Sequence, residues 1–93
     1  MSQPSSIGRT ATNVYTENGF TSVKYHATEV VRFNHERIIL NSGGWRTSTT
    51  KTRMNQAAHQ FDLGFSVWQK DFAWFVSFKD TVIPFADNME LVP

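Results

Sequence analysis

Apolar and polar residues alternate with a period of two in the first half of the chain. From residue 23 to residue 33 most apolar side chains fall on odd positions, which is typical of a half-buried strand. The alternation breaks at Glu29, so we expect a bulge or bend at residues 27–29. The polar residues 34–36 predict a turn before a second strand, residues 37–41, and the two strands together predict an antiparallel hairpin.

The period changes to that of a helix in the middle of the chain. Apolar residues spaced i, i+3, i+4 and i+7 form one stripe, which consists of Met54, Ala57, Ala58 and Phe61. A hydroxyl of Ser48, Thr49 or Thr50 can supply the N-cap, and Gly64 predicts the C-terminal end. We therefore expect one amphipathic helix with its apolar stripe facing a sheet.

The period of two returns after the helix. Residues 65–70 and 73–78 flank Asp71-Phe72 and predict a second hairpin. Residues 82–85 predict a short edge strand, because Pro84 cannot donate a hydrogen bond to a central ladder. The whole pattern predicts an α+β fold of two layers and order β-β-α-β-β, with one helix packed on a mostly antiparallel sheet of about four strands.

The length of 93 residues is that of one domain. Residues 1–19 are rich in Ser, Thr, Gln and Pro, and we expect them to form a flexible N-terminal arm. Residues 20–93 are then the single α+β domain. No stretch approaches the about 18 apolar residues of a membrane span, and no signal peptide is recognisable, so a cytoplasmic location without membrane contact is expected.

The composition excludes several classes of function. With 9 Lys and Arg against 8 Asp and Glu the net charge is +1, which is small for a protein that binds duplex DNA. The absence of cysteine excludes disulfides, thiolate catalysis and cysteine zinc sites. The three histidines lack metal-ligand spacing, and no glycine-rich phosphate loop or nucleophile elbow occurs. We assign no catalytic residue, metal or cofactor.

Hydrogen-bonding and cationic groups are densest in the segment Gly43–Gln56. On the predicted helix, Lys51, Asn55 and His59 are spaced i, i+4 and i+8 and form one polar row, with Arg53 on the other flank. The predicted binding residues are Trp45, Arg46, Lys51, Arg53, Asn55 and His59.

The register of the second hairpin leaves Trp68 unexplained. Trp68 lies in the opposite register to Phe65 and Val67, so both sides of that strand carry apolar residues. A monomer rarely exposes more than a few hundred Å² of contiguous apolar surface. We therefore expect a homodimer interface at Trp68 and Phe72, unless the arm or the C-terminal tail covers Trp68 within one chain.

The run Leu40–Thr47, followed by Thr50-Lys51 and Arg53–Gln56, is similar to small bacteriophage-encoded proteins of unknown function, including those of phages of marine bacteria. The resemblance extends to Pro84-Phe85 and covers about residues 38–85. It implies action in the cytoplasm of an infected cell by binding host or phage macromolecules, and it carries over no site residue.

Three functional hypotheses follow. The first is a non-enzymatic module that binds a protein partner through the surface Trp45–Gln56, because the net charge is near zero. The second is binding of single-stranded nucleic acid by Arg46, Lys51 and Arg53 with base stacking on Trp45. The third is a small hydrolase centred on His59 with Lys51 and Asp62.

Overall fold

The computed structural model describes residues 12–44 and 46–93, which form one helix and eight strands. In chain order the elements are β1 (Thr12–Glu17), β2 (Phe20–Tyr25), β3 (Thr28–Phe33), β4 (Ile38–Leu40), α1 (Ser48–Gln60), β5 (Phe65–Lys70), β6 (Ala73–Phe78), β7 (Thr81–Pro84) and β8 (Met89–Leu91). The strands form two antiparallel sheets, a larger one of order β1-β2-β3-β4-β8 and a smaller one of order β5-β6-β7.

The α+β class predicted from the sequence is confirmed, whereas the arrangement of a single sheet of four strands is wrong. The described residues contain two sheets of five and three strands. The error arises because a period of two shows which side chains share a face, but not which strand lies beside which.

The segment predicted as one strand with a bend at residues 27–29 is the hairpin β2–β3. A two-residue turn, His26-Ala27, joins the strands, and the register shifts once more between Val23 and Lys24 at a bulge. After the two-residue turn, odd positions of β2 pair with even positions of β3, as in Tyr25 with Thr28. The bulge adds one residue to β3, so beyond it odd positions pair with odd ones, as in Val23 with Val31. Inward side chains beyond the bulge therefore fall on odd positions of both strands, and the sequence pattern resembles that of one interrupted strand.

The predicted N-terminal arm contains a strand. β1 spans Thr12–Glu17 and pairs along its whole length with β2. Residues 1–11 of the arm lie outside the described residues. The division of the chain into residues 1–19 and 20–93 stays a prediction.

The helix and the second hairpin are confirmed. The N-cap of α1 is Thr47, one residue before the predicted candidates, and its Oγ1 accepts a hydrogen bond of 3.2 Å from the backbone N of Thr50. Of the predicted stripe, Met54, Ala57 and Ala58 are buried, and Phe61 is half-buried. Among the residues the structure describes, no helix is both long and apolar enough to cross a membrane.

One hydrophobic core joins the helix and both sheets. α1 packs on β5 of the smaller sheet and on β2 and β3 of the larger one. The buried apolar side chains are Val23, Val30, Val31, Ile38, Leu40, Met54, Ala57, Ala58, Phe65, Val67, Trp74, Val76, Phe78, Phe85 and Leu91. The smaller sheet turns one face to this core, and the side chains of its other face are half-buried or exposed.

Candidate binding surfaces

The loop before α1 is held by side-chain hydrogen bonds. The backbone N and the Oγ of Ser42 both donate to Oδ1 of Asp87, at 2.8 and 2.7 Å. The backbone N of Gly43 donates to Oδ1 of Asn41 at 2.9 Å, and Ser42 is fully buried. These bonds fix the chain immediately before Trp45, which itself lies outside the described residues. Its predicted binding role stays a prediction.

The three predicted cations lie around the first half of α1, and each is placed over an aromatic ring. The pairs are Arg46 Cζ with Phe85 (5.1 Å to the ring centroid), Lys51 Nζ with Trp74 (5.8 Å) and Arg53 Cζ with Tyr25 (5.6 Å). Among the described residues none of the three forms an ion pair with a carboxylate. The first turn of α1 carries no acidic residue, although an acid there would be stabilised by the helix dipole.

Arg53 is also tied to neighbouring side chains. Its Nε donates to Oγ1 of Thr12 at 3.1 Å, and its Nη1 donates to Oε1 of Gln56 at 3.2 Å. These bonds connect α1 to β1. Arg53 therefore has a structural role in the described part of the chain, and a binding role for it stays a prediction.

Asn55 completes the edge of the smaller sheet. Its Nδ2 donates to the carbonyl O of Val67 at 2.9 Å, and its Oδ1 accepts from the backbone N of Val67 at 2.8 Å. Val67 is 2% exposed, so water does not satisfy these backbone groups. The amide of Asn55 pairs with β5 as a neighbouring strand would, which makes this side chain part of the fold.

None of three cavities formed by the described residues joins the residues of the hydrolase hypothesis. His59 and Asp62 are exposed, and the Nζ of Lys51 donates to Oε1 of Gln69 at 3.3 Å. Of three surface cavities, one includes Asp62 and none includes His59 or Lys51. In residues 12–44 and 46–93 no group of at least 3 His, Cys, Asp and Glu side chains is placed to hold a metal ion.

The outward face of the smaller sheet carries a row of apolar side chains. Trp68 and Phe75 are register partners whose rings stack at 4.9 Å between centroids and 28° between planes. Across β6, Phe75 is paired with Pro84, and Val82 lies beside them on the same side of β7. Val82 is 56% exposed. We call Trp68, Phe75, Val82 and Pro84 the aromatic face.

Sequence reasoning found only Trp68 of this face. The signal for Phe75 was present, because Trp74, Val76 and Phe78 on the same strand are buried and alternate with it. Val82 and Pro84 could be added only when the register of β6 with β7 was known.

Phe72 lies at the tip of the β5–β6 hairpin, next to the aromatic face. Its side chain is 96% exposed. Asp71 and Phe72 both have positive φ angles, of 52° and 69°, as a two-residue hairpin turn requires. This conformation favours glycine or asparagine and is unfavourable for a bulky side chain. The described structure contains no intramolecular contact that compensates for Phe72.

The outward face of the larger sheet carries a polar cluster. The hydroxyl of Tyr15 donates to Oε2 of Glu29, and the Nε of Arg32 lies 3.8 Å from Oε1 of the same carboxylate. The hydrogen bond to Glu29, followed by partial burial and the negative charge of Glu29, raises the pKa of Tyr15 above its ordinary value of 10.0.

Titration of the tyrosine absorbance should show Tyr15 ionising above pH 10.0. Because folding raises this pKa, the contact stabilises the fold below pH 10.0 and its contribution is lost as the pH rises through the folded-state value. Glu29→Gln keeps an acceptor but removes the charge, so the pKa of Tyr15 should fall toward its ordinary value. The variant Tyr15→Phe shows which part of the absorbance change belongs to Tyr15. If Glu29→Gln left the titration of Tyr15 unchanged, the contact between Tyr15 and Glu29 would be contradicted.

The fold is a small α+β domain, and its described surface offers the cationic start of α1 and the aromatic face as candidate binding surfaces. The family model that matches the sequence is that of the Kyanoviridae Gp96 protein, and the match spans residues 2–92. The chain therefore belongs to this cyanophage protein family. The phage resemblance is confirmed, and the match extends well beyond residues 38–85. No curated protein and no solved structure matches the chain.

Proposed function

We propose that this member of the Kyanoviridae Gp96 family is a small non-enzymatic binding module. Its helix-start surface, residues Trp45–Gln56, holds an acidic region of a protein partner. The observation that supports the proposal is the pair of cations Arg46 and Lys51, which have no carboxylate partner among the described residues.

The charge on this surface is not explained by the stability of the helix. Cations near a helix N-terminus are repelled by the helix dipole, and a first turn usually gains stability from Asp or Glu. α1 has no acidic residue along its whole length, Ser48–Gln60. A carboxylate supplied by a partner would be attracted both by the two cations and by the N-terminal end of the helix.

The aromatic rings below the cations prepare the surface for binding. Phe85 and Trp74 are 7% and 4% exposed and pack edge to face at 5.4 Å, so they form a rigid support. Arg46 and Lys51 lie over these rings. Their side chains therefore lose less conformational entropy when they bind a carboxylate.

We propose the cytoplasm of the infected host cell as the place of action. Membership of a phage protein family supports this location, because phage proteins are synthesised there. The acidic partner is then a host or phage protein of that compartment.

The double charge reversal Arg46→Glu with Lys51→Glu should weaken partner binding while the chain stays folded. The reversed charges gain from the helix dipole but lose the two contacts with aromatic rings and the hydrogen bond from Lys51 to Gln69, so we expect only a small change in Tm. The partner is first identified by cross-linking of the tagged chain in infected cells. Isothermal titration of the purified partner should then show at least about tenfold weaker binding for the variant, since two charge contacts are lost.

A matched control places the same change of net charge elsewhere. Lys24→Glu with Arg37→Glu alters one cation on β2 and one immediately before β4, and binding should stay at the wild-type level. Equal binding by the wild-type chain and by the helix-start variant would refute the proposed surface. A large fall in Tm of the helix-start variant would show that Arg46 and Lys51 serve the structure instead.

Single-stranded nucleic acid is the second candidate partner. The same unpaired cations lie beside the exposed hydroxyl residues Ser48 and Thr49, which are suitable donors to phosphate. Fluorescence anisotropy with a labelled thymidine oligonucleotide tests this candidate. The logarithm of the binding constant should then fall with the logarithm of the salt concentration, with a slope of about −0.7 per phosphate contacted. If this binding is lost in the variant Arg46→Glu with Lys51→Glu, nucleic acid is the partner instead of a protein.

A further inference from the structure

We propose that the aromatic face is the interface of a homodimer, in which two copies stack their smaller sheets face to face about a two-fold axis. This interface is separate from the helix-start surface. α1 packs against β5 from the core side, whereas Trp68 and Phe75 project from the opposite side.

One row of the face is apolar across all three strands, and the neighbouring row, Ser66, Ser77 and Val82, carries two hydroxyls. Trp68, Phe75 and Pro84 form one continuous row from β5 to β7, and Val82 extends it. The indole Nε1 of Trp68 donates to Oγ of Ser77 at 2.8 Å, so its polar group is satisfied within one chain. A partner surface therefore has to supply only apolar contact to this ring.

The charges around the face are complementary to a second copy. Lys70 and Asp71 lie at one end of the sheet, and Lys79 and Asp80 lie at the other. None of the four forms an ion pair within the described part of the chain. When the two-fold axis runs perpendicular to the strands, the first end of one copy meets the second end of the other, so each end brings two cations to two anions. A nucleic acid would instead require a net positive rim.

The edges of the smaller sheet are unsuited to self-association. On β5 the amide of Asn55 already occupies the backbone N and O of Val67. On β7 Pro84 has no N–H to donate to another strand. Self-association through this sheet therefore uses its face.

The size of the face is sufficient for a weak dimer. β5 and β6, of six residues each, are about 20 Å long and β7, of four residues, is about 13 Å long, and the strands lie about 4.8 Å apart, so the face covers about 250 Å² in projection. With side-chain relief and Phe72 we estimate about 500 Å² buried per copy, which is near the lower limit for a specific interface. We expect dissociation in the micromolar range.

Phe72 gives the dimer a diagnostic variant. Phe72→Gly relieves an unfavourable positive φ, so it should raise the Tm by about 4 °C. It also removes apolar contact at the rim of the interface, so it should weaken self-association several-fold. If Phe72 does not contact the second copy, Phe72→Gly should give the same rise in Tm and leave self-association unchanged.

Analytical ultracentrifugation of the full chain over a range of micromolar concentrations tests the proposal. The wild-type chain should approach twice its monomer mass of 10.6 kDa. Val82→Lys places a charge on the β7 side of the face at an exposed position and should give a monomer with an unchanged Tm. His26→Gly relieves a positive φ in the distant β2–β3 turn and should raise the Tm without changing association.

Two results would overturn the interface. One is a wild-type chain that remains at 10.6 kDa, which would mean that another occupant covers Trp68. The other is a dimer that Val82→Lys leaves intact. The charge reversal at Arg46 and Lys51 should leave the dimer unchanged, so failure of this proposal and failure of the proposed function are distinguishable.

Discussion

Asn55→Ala should lower the free energy of unfolding by about 2–4 kcal/mol, because it leaves the backbone N–H and C=O of Val67 without partners. Both groups belong to a residue that is 2% exposed, so water cannot replace the amide without local opening of β5. Urea denaturation followed by tryptophan fluorescence measures the loss. The midpoint should fall, and the slope with denaturant should stay constant.

Two variants of the same helix separate the amide contact from helix propensity. Asn55→Asp keeps the acceptor for the N–H of Val67 but turns an oxygen toward its carbonyl, so it should also destabilise. His59→Ala changes an exposed position of α1 and should cost less than about 0.5 kcal/mol. If Asn55→Ala were as mild as His59→Ala, the amide would not stabilise the edge of the sheet.

The local elements were predictable because each depends on residues that are close in the sequence. The stripe from Met54 to Phe61 and the hydroxyls before it encode α1, although the N-cap is one residue earlier than expected. The second hairpin matches its prediction at both strands, with Asp71-Phe72 as the turn. In each case one period and one turn signal were sufficient.

The sheets were not predictable because their pairings join distant segments. β4 lies within the predicted strand 37–41, but β8 contains only three residues, too few for a period to be recognised, and it pairs Leu91 with the distant Ile38. β1 has the composition of a flexible arm and is placed by its pairing with β2. Backbone hydrogen bonds, which the identity of a side chain hardly specifies, decide both cases.

For the candidate surfaces, too, the sequence predicted the local arrangement but not the contacts between distant segments. Spacing along the helix predicted that Lys51 and Asn55 share a row, and both contact β5 in the structure, through Gln69 and Val67. The packing of α1 on β5 decides that this row faces the edge of a sheet and that Asn55 is needed there. Sequence periodicity carries no information on that packing.

Gly43→Ala should be about as destabilising as the loss of Asn55, with a cost of about 2–5 kcal/mol. Gly43 has a φ angle of +65°, which costs an L-residue about 1–2 kcal/mol. A Cβ at this position would lie 2.2 Å from Oγ1 and 2.9 Å from Cγ2 of Thr28. Removing that overlap requires movement of the loop or of β3, and overpacking of this kind costs about 1–3 kcal/mol.

The neighbouring glycine is the matched control. Gly44 has a φ angle of +84° but nothing within 4 Å of a Cβ, so Gly44→Ala should show only the backbone term of about 1–2 kcal/mol. Thermal and urea unfolding of both variants give the difference that is due to Thr28. In a Thr28→Ala background Oγ1 and Cγ2 are absent and only the Cβ, at 3.0 Å, remains, so the cost of Gly43→Ala should fall to near that of Gly44→Ala. Equal costs of Gly43→Ala in the two backgrounds would contradict the close approach of the loop to β3.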